Sequence, residues 1–228
     1  MFSKESHISV VIPAYNEEQA IAKVISEIPS LVNEIIVVSN GSTDDTSKLA
    51  SEAGATVIEE PIRGYGQACL TGIAHALIDT EILVFLDGDY SDYPVEMTNL
   101  LMPIFDGAAE MVIGSRALGR KFKGAMMPQQ IFGNWLATSL IKLFYNHSYT
   151  DLGPFRAITK DAYQSLGMLD TNYGWTVEMQ VKGLKKGLKI LEVPVNYRLR
   201  IGTSKVSGTV KGTIMAGCKI ILTIFKYL

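Results

Sequence analysis

The sequence predicts an α/β fold: a mostly parallel sheet flanked by helices on both faces. Two observations carry this. Short β-branched runs alternate with stretches whose apolar residues recur at helical spacing, the signature of βαβ units. Polar, glycine-rich turns follow each run, and in parallel sheets such turns at the carboxyl ends of the strands form the ligand crevice. At 228 residues, 47% hydrophobic and 19% charged, the chain is long enough for one sizeable core.

The first strand is ISVVIP (8–13), and the next helix carries Ile21, Val24, Ile25 and Ile28 on one face. EIIVVS (34–39) is the second strand. In NGSTDDTSKLASEAG, Ser42 or Thr43 is expected as helix N-cap, Asp44 and Asp45 fill the first turn, and Gly54 is the stop. ATVIEE (55–60) is the third strand, followed by a glycine turn and the helix QACLTGIAHAL. EILVFLD (81–87) is the fourth strand, VEMTNLLMPIF (95–105) a helix, and EMVIGS (110–115) the fifth strand. Beyond residue 117 the alternation loosens. ALGRKFKGAMMPQQ reads as a mobile connector and IFGNWLATSLIKLFY as a helix apolar nearly all round. The expected organisation is one domain over 1–212 with a C-terminal apolar, amphipathic helix over 213–228.

Composition excludes several classes. A formal net charge of -2 argues against a dedicated nucleic-acid binder. Cys69 and Cys218 make no CxxC pattern, and His7, His75 and His147 are scattered, so no zinc constellation exists and a reducing compartment is expected. The N-terminus shows no secretory signal. The C-terminal IMAGCKIILTIFKYL is interrupted by Lys219 and Lys226 and is too short to span a bilayer. It is expected either to lie on a membrane surface or to pack on the core.

The chemistry gathers in the turns. Asp87 and Asp89, with Gly88 between them, end the most apolar strand, and two carboxylates one residue apart suit a hard cation such as Mg²⁺ or Mn²⁺. A solvated turn is the plain alternative. Asp92, just before Pro94, is read as starting the next helix. IRGYGQA (62–68) is either a phosphate-cradling glycine turn, with Arg63 as a charged grip, or a tight turn into a helix. SNGSTDDT and PAYNEE read first as helix starts, and as base- or ribose-facing loops only in the company of the rest. TDLGPFRA sets Asp151 and Arg156 about a Gly-Pro turn. RLRIGTSKVSGTVKG offers Arg198, Arg200, Lys205 and Lys211 to a diphosphate or lipid phosphate.

Taken in order, VVIPAYNEE, VVSNGSTDDT, RGYGQACLTGI, FLDGD, VIGSR, TDLGPFRA, YGWTVEMQ and EVPVNYRLRIGTSKVSG resemble the family 2 glycosyltransferases of GT-A fold, a Rossmann-like α/β architecture. Within them the chain looks most like the polyprenyl- and dolichyl-phosphate sugar synthases, from about Ile8 to Gly212. The resemblance implies an inverting transfer from an NDP-sugar (a UDP- or GDP-sugar) to a lipid phosphate at a membrane surface. It implies Pro13, Ala14, Tyr15 and Glu17 about the nucleoside, and Asp87 and Asp89 placing Mg²⁺ or Mn²⁺ on the diphosphate. Arg116 and the Arg200–Ser204–Lys205 segment match phosphate-associated positions. Were the acceptor a hydroxyl, a carboxylate base is required, and Asp151 or Glu178 is the candidate. The implied location is cytoplasmic and peripheral on the inner membrane face; a homo-oligomer is left open.

The chain departs from the family pattern in two places. Ser39 and Asn40 stand where relatives show DDGS or DNGS, leaving Asn40 as the expected base contact. MPQQIFGN lacks the arginines of the lipid-phosphate mannosyl enzymes, which shifts the expected acceptor contacts to Arg116, Lys121 and Lys123. A nucleotidyltransferase is disfavoured because PAYNEE replaces its basic glycine loop. A non-catalytic sugar-nucleotide-binding relative is disfavoured by the intact DGD.

Overall fold

The computed structural model describes residues 6–202 and 210–228. Among these residues seven strands form one sheet: β1 (Ile8–Ala14), β2 (Glu34–Ser39), β3 (Thr56–Glu59), β4 (Ile82–Phe85), β5 (Met111–Ser115), β6 (Arg156–Thr159) and β7 (Ile190–Pro194). Their spatial order is β3-β2-β1-β4-β6-β5-β7. β1, β2, β3 and β4 pair in parallel, as do β5 and β7, while β6 runs antiparallel between β4 and β5. The five expected strands are present, and their carboxyl ends share one edge.

Among the described residues, eight α-helices cover the sheet: α1 (Ile21–Ser26), α2 (Thr46–Glu52), α3 (Tyr65–His75), α4 (Met97–Phe105), α5 (Pro128–Tyr145), α6 (Lys160–Leu166), α7 (Trp175–Lys186) and α8 (Val210–Lys226). Side chains alternate across β1, so Val10 and Ile12 join a core built with α1 and α4. Val11 faces the opposite core, built with α3 and α7. A central sheet thus lies between two helical layers, as the resemblance implies. Burying both faces explains why the strands read as nearly continuous apolar runs.

Three local expectations are corrected. α2 starts at Thr46, not behind a Ser42 or Thr43 cap. Asp44 accepts from the Thr46 amide, while Ser42 Oγ and the Thr43 amide bond the Asn16 backbone and side chain. The connector after residue 117 is tied down in part, since the Phe122 amide donates to Tyr197 O and its last residues already belong to α5. Asp92 does not cap a helix. It is buried, both carboxylate oxygens lack a hydrogen-bond partner, and the turn from Pro94 to Glu96 starts without it. Burial, and then the neighbouring Asp87, push its carboxyl well above the ordinary range and favour the protonated form.

α8 packs on the domain. Ile224 is fully buried, Tyr145 Oη donates to Ile224 O, and Lys219 pairs with Asp170. Its outer face keeps Ile214, Met215, Leu222 and Phe225 in solvent. Among the described residues no helix is long and apolar enough to cross a membrane.

Candidate active site

A cleft of about 420 Å³ opens at the carboxyl ends of β1, β2 and β4. Pro13, Ala14, Tyr15 and Glu17 enter it from the β1 turn, Asn40 from the β2 turn, and Arg63 from the β3 turn. Asp87, Gly88 and Asp89 enter from the β4 end, Arg116 from the β5 end, and Arg200 from the irregular segment after β7. Asp151 does not line it, and Ser204 and Lys205 lie outside the described residues. Gln130, Tyr65, Asn172, Tyr173 and Tyr197 also line the cleft, unforeseen in the sequence.

The acidic floor is tightly organised. Asp89 Oδ1 accepts from the Ser91 amide at 2.9 Å and from Ser91 Oγ at 2.5 Å. Its Oδ2 lies 3.1 Å from Arg200 Nη1, and Arg200 also reaches Glu17 Oε1 at 3.2 Å. Asp87 Oδ1 is buried without a partner. Burial, reinforced by the Asp89 carboxylate, pushes the Asp87 carboxyl up to about 7. A hard cation is what such an orphaned, desolvated oxygen beside a second carboxylate suits. Among the described residues no three His, Cys, Asp or Glu side chains form a metal cluster, so a cation held by Asp87 and Asp89 would need further oxygen ligands from substrate or water.

The raised Asp87 fixes a sign for pH. The native state retains this proton between 3.8 and about 7 whereas the unfolded chain releases it. Asp87 therefore lowers stability as pH rises through that window in metal-free protein. Melting curves of Asp87→Asn against wild type are expected to show the variant gaining relative stability as pH rises from 4 to 7, then levelling; parallel curves refute it.

Arg116 is anchored rather than free. Its Nε and Nη2 each lie 2.7 Å from the Asp151 carboxylate, whose Oδ2 also accepts the Arg116 amide at 2.8 Å. Burial alone would raise the Asp151 carboxyl, but Arg116 overcomes that and holds it below the usual carboxylate range. Asp151, expected as a possible base, thus does not line the cleft and has its carboxylate engaged by Arg116. Glu178, the other expected base, is fully buried and accepts from the Leu169 and Asp170 amides, Lys182 and Tyr227.

Asn40 is equally committed. Its Oδ1 accepts the Gly64 amide at 2.8 Å, while Nδ2 donates to Glu60 O and Ile62 O. It holds the β3 turn with both N–H donors spent, so toward a base edge it offers only the second lone pair of Oδ1. Ser39 is fully buried. Several amides of the turn are engaged within the protein, Gly64 with Asn40 Oδ1 and Ala68 with Gly64 O. The Gln67 amide donates to Thr171 O, and a Cβ at Gly64 or Gly66 would strike the backbone at 171 or 170, at 2.2 and 2.1 Å. These glycines let two backbone segments of the chain touch. Arg63 instead lies 3.5 Å over the Tyr15 ring. Asn40→Ala orphans the part-buried Gly64 amide and the carbonyls of Glu60 and Ile62, so unfolding titrations are expected to show a loss of about 1–3 kcal/mol.

Arg198 and Arg200, equivalent in the sequence, part company. Arg198 stacks on Tyr90 and Tyr93, 3.2 and 4.3 Å from the ring centroids, and pairs with Glu27 at 2.8 Å. It clamps the DGD loop, where Tyr90 sits at φ 67, a costly left-handed conformation for a bulky side chain. Arg200 alone of the two reaches the cleft.

The model of glycosyl transferase family 2 matches residues 9–167, most of the chain and every strand bearing the carboxylate turns. The chain belongs to glycosyl transferase family 2. This family 2 enzyme is 32% identical over 211 residues to an uncharacterized glycosyltransferase of Mycobacterium bovis, covering 92% of the chain and 94% of that relative. It is 30% identical to a dolichyl-phosphate hexose transferase of Haloferax volcanii, covering 87% and 86%. Glucosyl-3-phosphoglycerate synthase of Mycobacterium tuberculosis, solved with Mn²⁺, UDP and phosphoglyceric acid, superposes with a TM-score of 0.78 at 25% identity, over 97% of this chain and 78% of that one. The family 2 chain is a glycosyltransferase of GT-A fold.

Proposed function

We propose that the enzyme transfers a sugar from a UDP- or GDP-sugar to a polyprenyl (dolichyl-type) phosphate, with inversion and with a divalent cation. The observation that carries the acceptor is the commitment of the carboxylates. A hydroxyl acceptor needs a base, yet Asp151 is spent on Arg116 and Glu178 on two amides, Lys182 and Tyr227. A phosphate is already anionic and attacks without a base. The relative named as a dolichyl-phosphate hexose transferase supports the same reading.

In this reading Tyr15, Glu17 and Arg63 flank the nucleoside, and Asp87 and Asp89 hold Mg²⁺ or Mn²⁺ against the diphosphate. The neighbour solved with Mn²⁺ and UDP supports that placement. The cation supplies neutralisation of charge developing on the leaving diphosphate. Arg200, now paired with Asp89 and Glu17, turns toward the same phosphates, and Arg116, oriented by Asp151, receives the acceptor phosphate. An acceptor oxygen forms a bond to the anomeric carbon as the bond to the diphosphate oxygen breaks, the electron pair leaving with the NDP. No proton moves.

A second reading, a small hydroxyl-bearing phosphorylated acceptor, is favoured by the neighbour solved with phosphoglyceric acid. Purified protein incubated with labelled UDP- and GDP-sugars, Mn²⁺ and short polyprenyl phosphates separates the two. Label passing to the prenyl phosphate with one nucleotide only is the expected result; label passing only to hydroxyl-bearing acceptors overturns it.

A further inference from the structure

Two stretches of this chain carry no acid. Residues 111–150 and 193–228 together hold 11 of the 21 Lys and Arg and none of the 23 Asp and Glu, although the whole chain is net negative. The same stretches supply α5, α8 and the loop before α5, so the charge asymmetry of the sequence becomes a face of the fold. That face is also oily. Phe122, Ile131, Phe132 and Trp135 are all more than half exposed, and the Phe132 and Trp135 rings lie 5.7 Å apart. α8 continues the surface, with Tyr145 bonded to Ile224 O, Phe144 against Phe225, and Ile214, Met215 and Leu222 turned to solvent.

The face borders the cleft. Gln130, one residue before Ile131, lines the cleft, and the Phe122 amide donates to O of Tyr197, another lining residue. We infer that the rim of the active-site cleft, from the loop at 118–127 through the first half of α5 and onto the outer face of α8, is the surface by which the enzyme lies on an anionic lipid leaflet. Exposed aromatic and aliphatic side chains enter the interface, and the unopposed Arg120, Lys121, Lys123, Lys142 and Lys226 meet acidic headgroups. A second copy of the chain fits the face poorly. A two-fold contact sets a patch against itself, which here would oppose like charges with no carboxylate between them. The inference rests on the proposed acceptor only for its purpose: a cleft opening toward the leaflet takes a lipid phosphate without extracting its chain.

The enzyme carries its own reporter. Trp135 is 59% exposed whereas Trp175 is fully buried, so a fluorescence change on docking reports Trp135. The test is flotation of the full chain, without donor, on vesicles of phosphatidylcholine alone or mixed with phosphatidylglycerol. Binding to the mixed vesicles only, release by salt and a blue shift of Trp135 emission are expected. Phe132→Ser with Trp135→Ser should weaken binding roughly tenfold or more while leaving transfer to a short, water-soluble prenyl phosphate unchanged. Absence of binding, or equal binding to neutral vesicles, overturns the inference. So does self-association in sedimentation that buries Trp135 without lipid. Vesicle binding without any transfer to prenyl phosphates would instead refute the acceptor reading and leave the docking face standing.

Discussion

Asp89→Ala is expected to lower sugar transfer by about 10²–10³-fold or more while the protein stays folded. The carboxylate lies in the cleft, fixed by two bonds from Ser91 and the ion pair to Arg200. Its proposed task, holding a cation on the leaving diphosphate, exists only as that charge develops, so the loss falls on kcat more than on donor affinity. Removing it also relieves the repulsion that helps to raise Asp87. That gain offsets the bonds lost from Ser91 and Arg200, so stability is expected to change little, a result that rules out misfolding as the cause. Steady-state kinetics beside a melting curve check both halves; near-normal kcat with Mn²⁺ would remove Asp89 from the mechanism.

The second large effect is structural and chemical together. Asp151→Asn leaves Arg116 buried without its counter-charge, and breaking one side of such a pair costs about 3–5 kcal/mol. Against a domain stability of roughly 5–15 kcal/mol, that is a large share, and Tm is expected to fall by about 10 °C. Replacing the pair by apolar groups, Arg116→Met with Asp151→Leu, removes both charges at once and should recover much of the stability. It should not recover transfer, because Arg116 faces the cleft and Asp151 only orients it. Calorimetry and activity on the three proteins separate the roles; a double variant that regains activity would take Arg116 out of phosphate binding.

The first half of the fold was legible because β1 to β5 are short apolar runs, each ended by a turn. β6 was not. It is only RAIT, four residues long, and it opens with Arg156, a charged residue with no exposed surface. Arg156 is tolerated there because its guanidinium donates to the backbone oxygens of Thr176 and Gly153, partners that local patterning cannot reveal. The same limit governed Asn40, whose three partners lie 20 to 24 residues away and take both N–H donors that the motif offered to a base. Asp92 looked like a helix start beside Pro94, yet the β4 turn folds it inward behind Asp87. Residue type pointed to the neighbourhood, and the long-range partners decided what each polar group was free to do.

The claim on which the rest depends is that the Asp87–Asp89 cleft binds a nucleoside diphosphate through a divalent cation. Calorimetric titration of UDP and GDP into the wild-type protein and Asp87→Asn, with Mn²⁺ and with chelator, tests it without an acceptor. One nucleotide should bind, only with Mn²⁺, and at least tenfold more weakly to the variant. Binding of equal strength with chelator, or undiminished in Asp87→Asn, would contradict it.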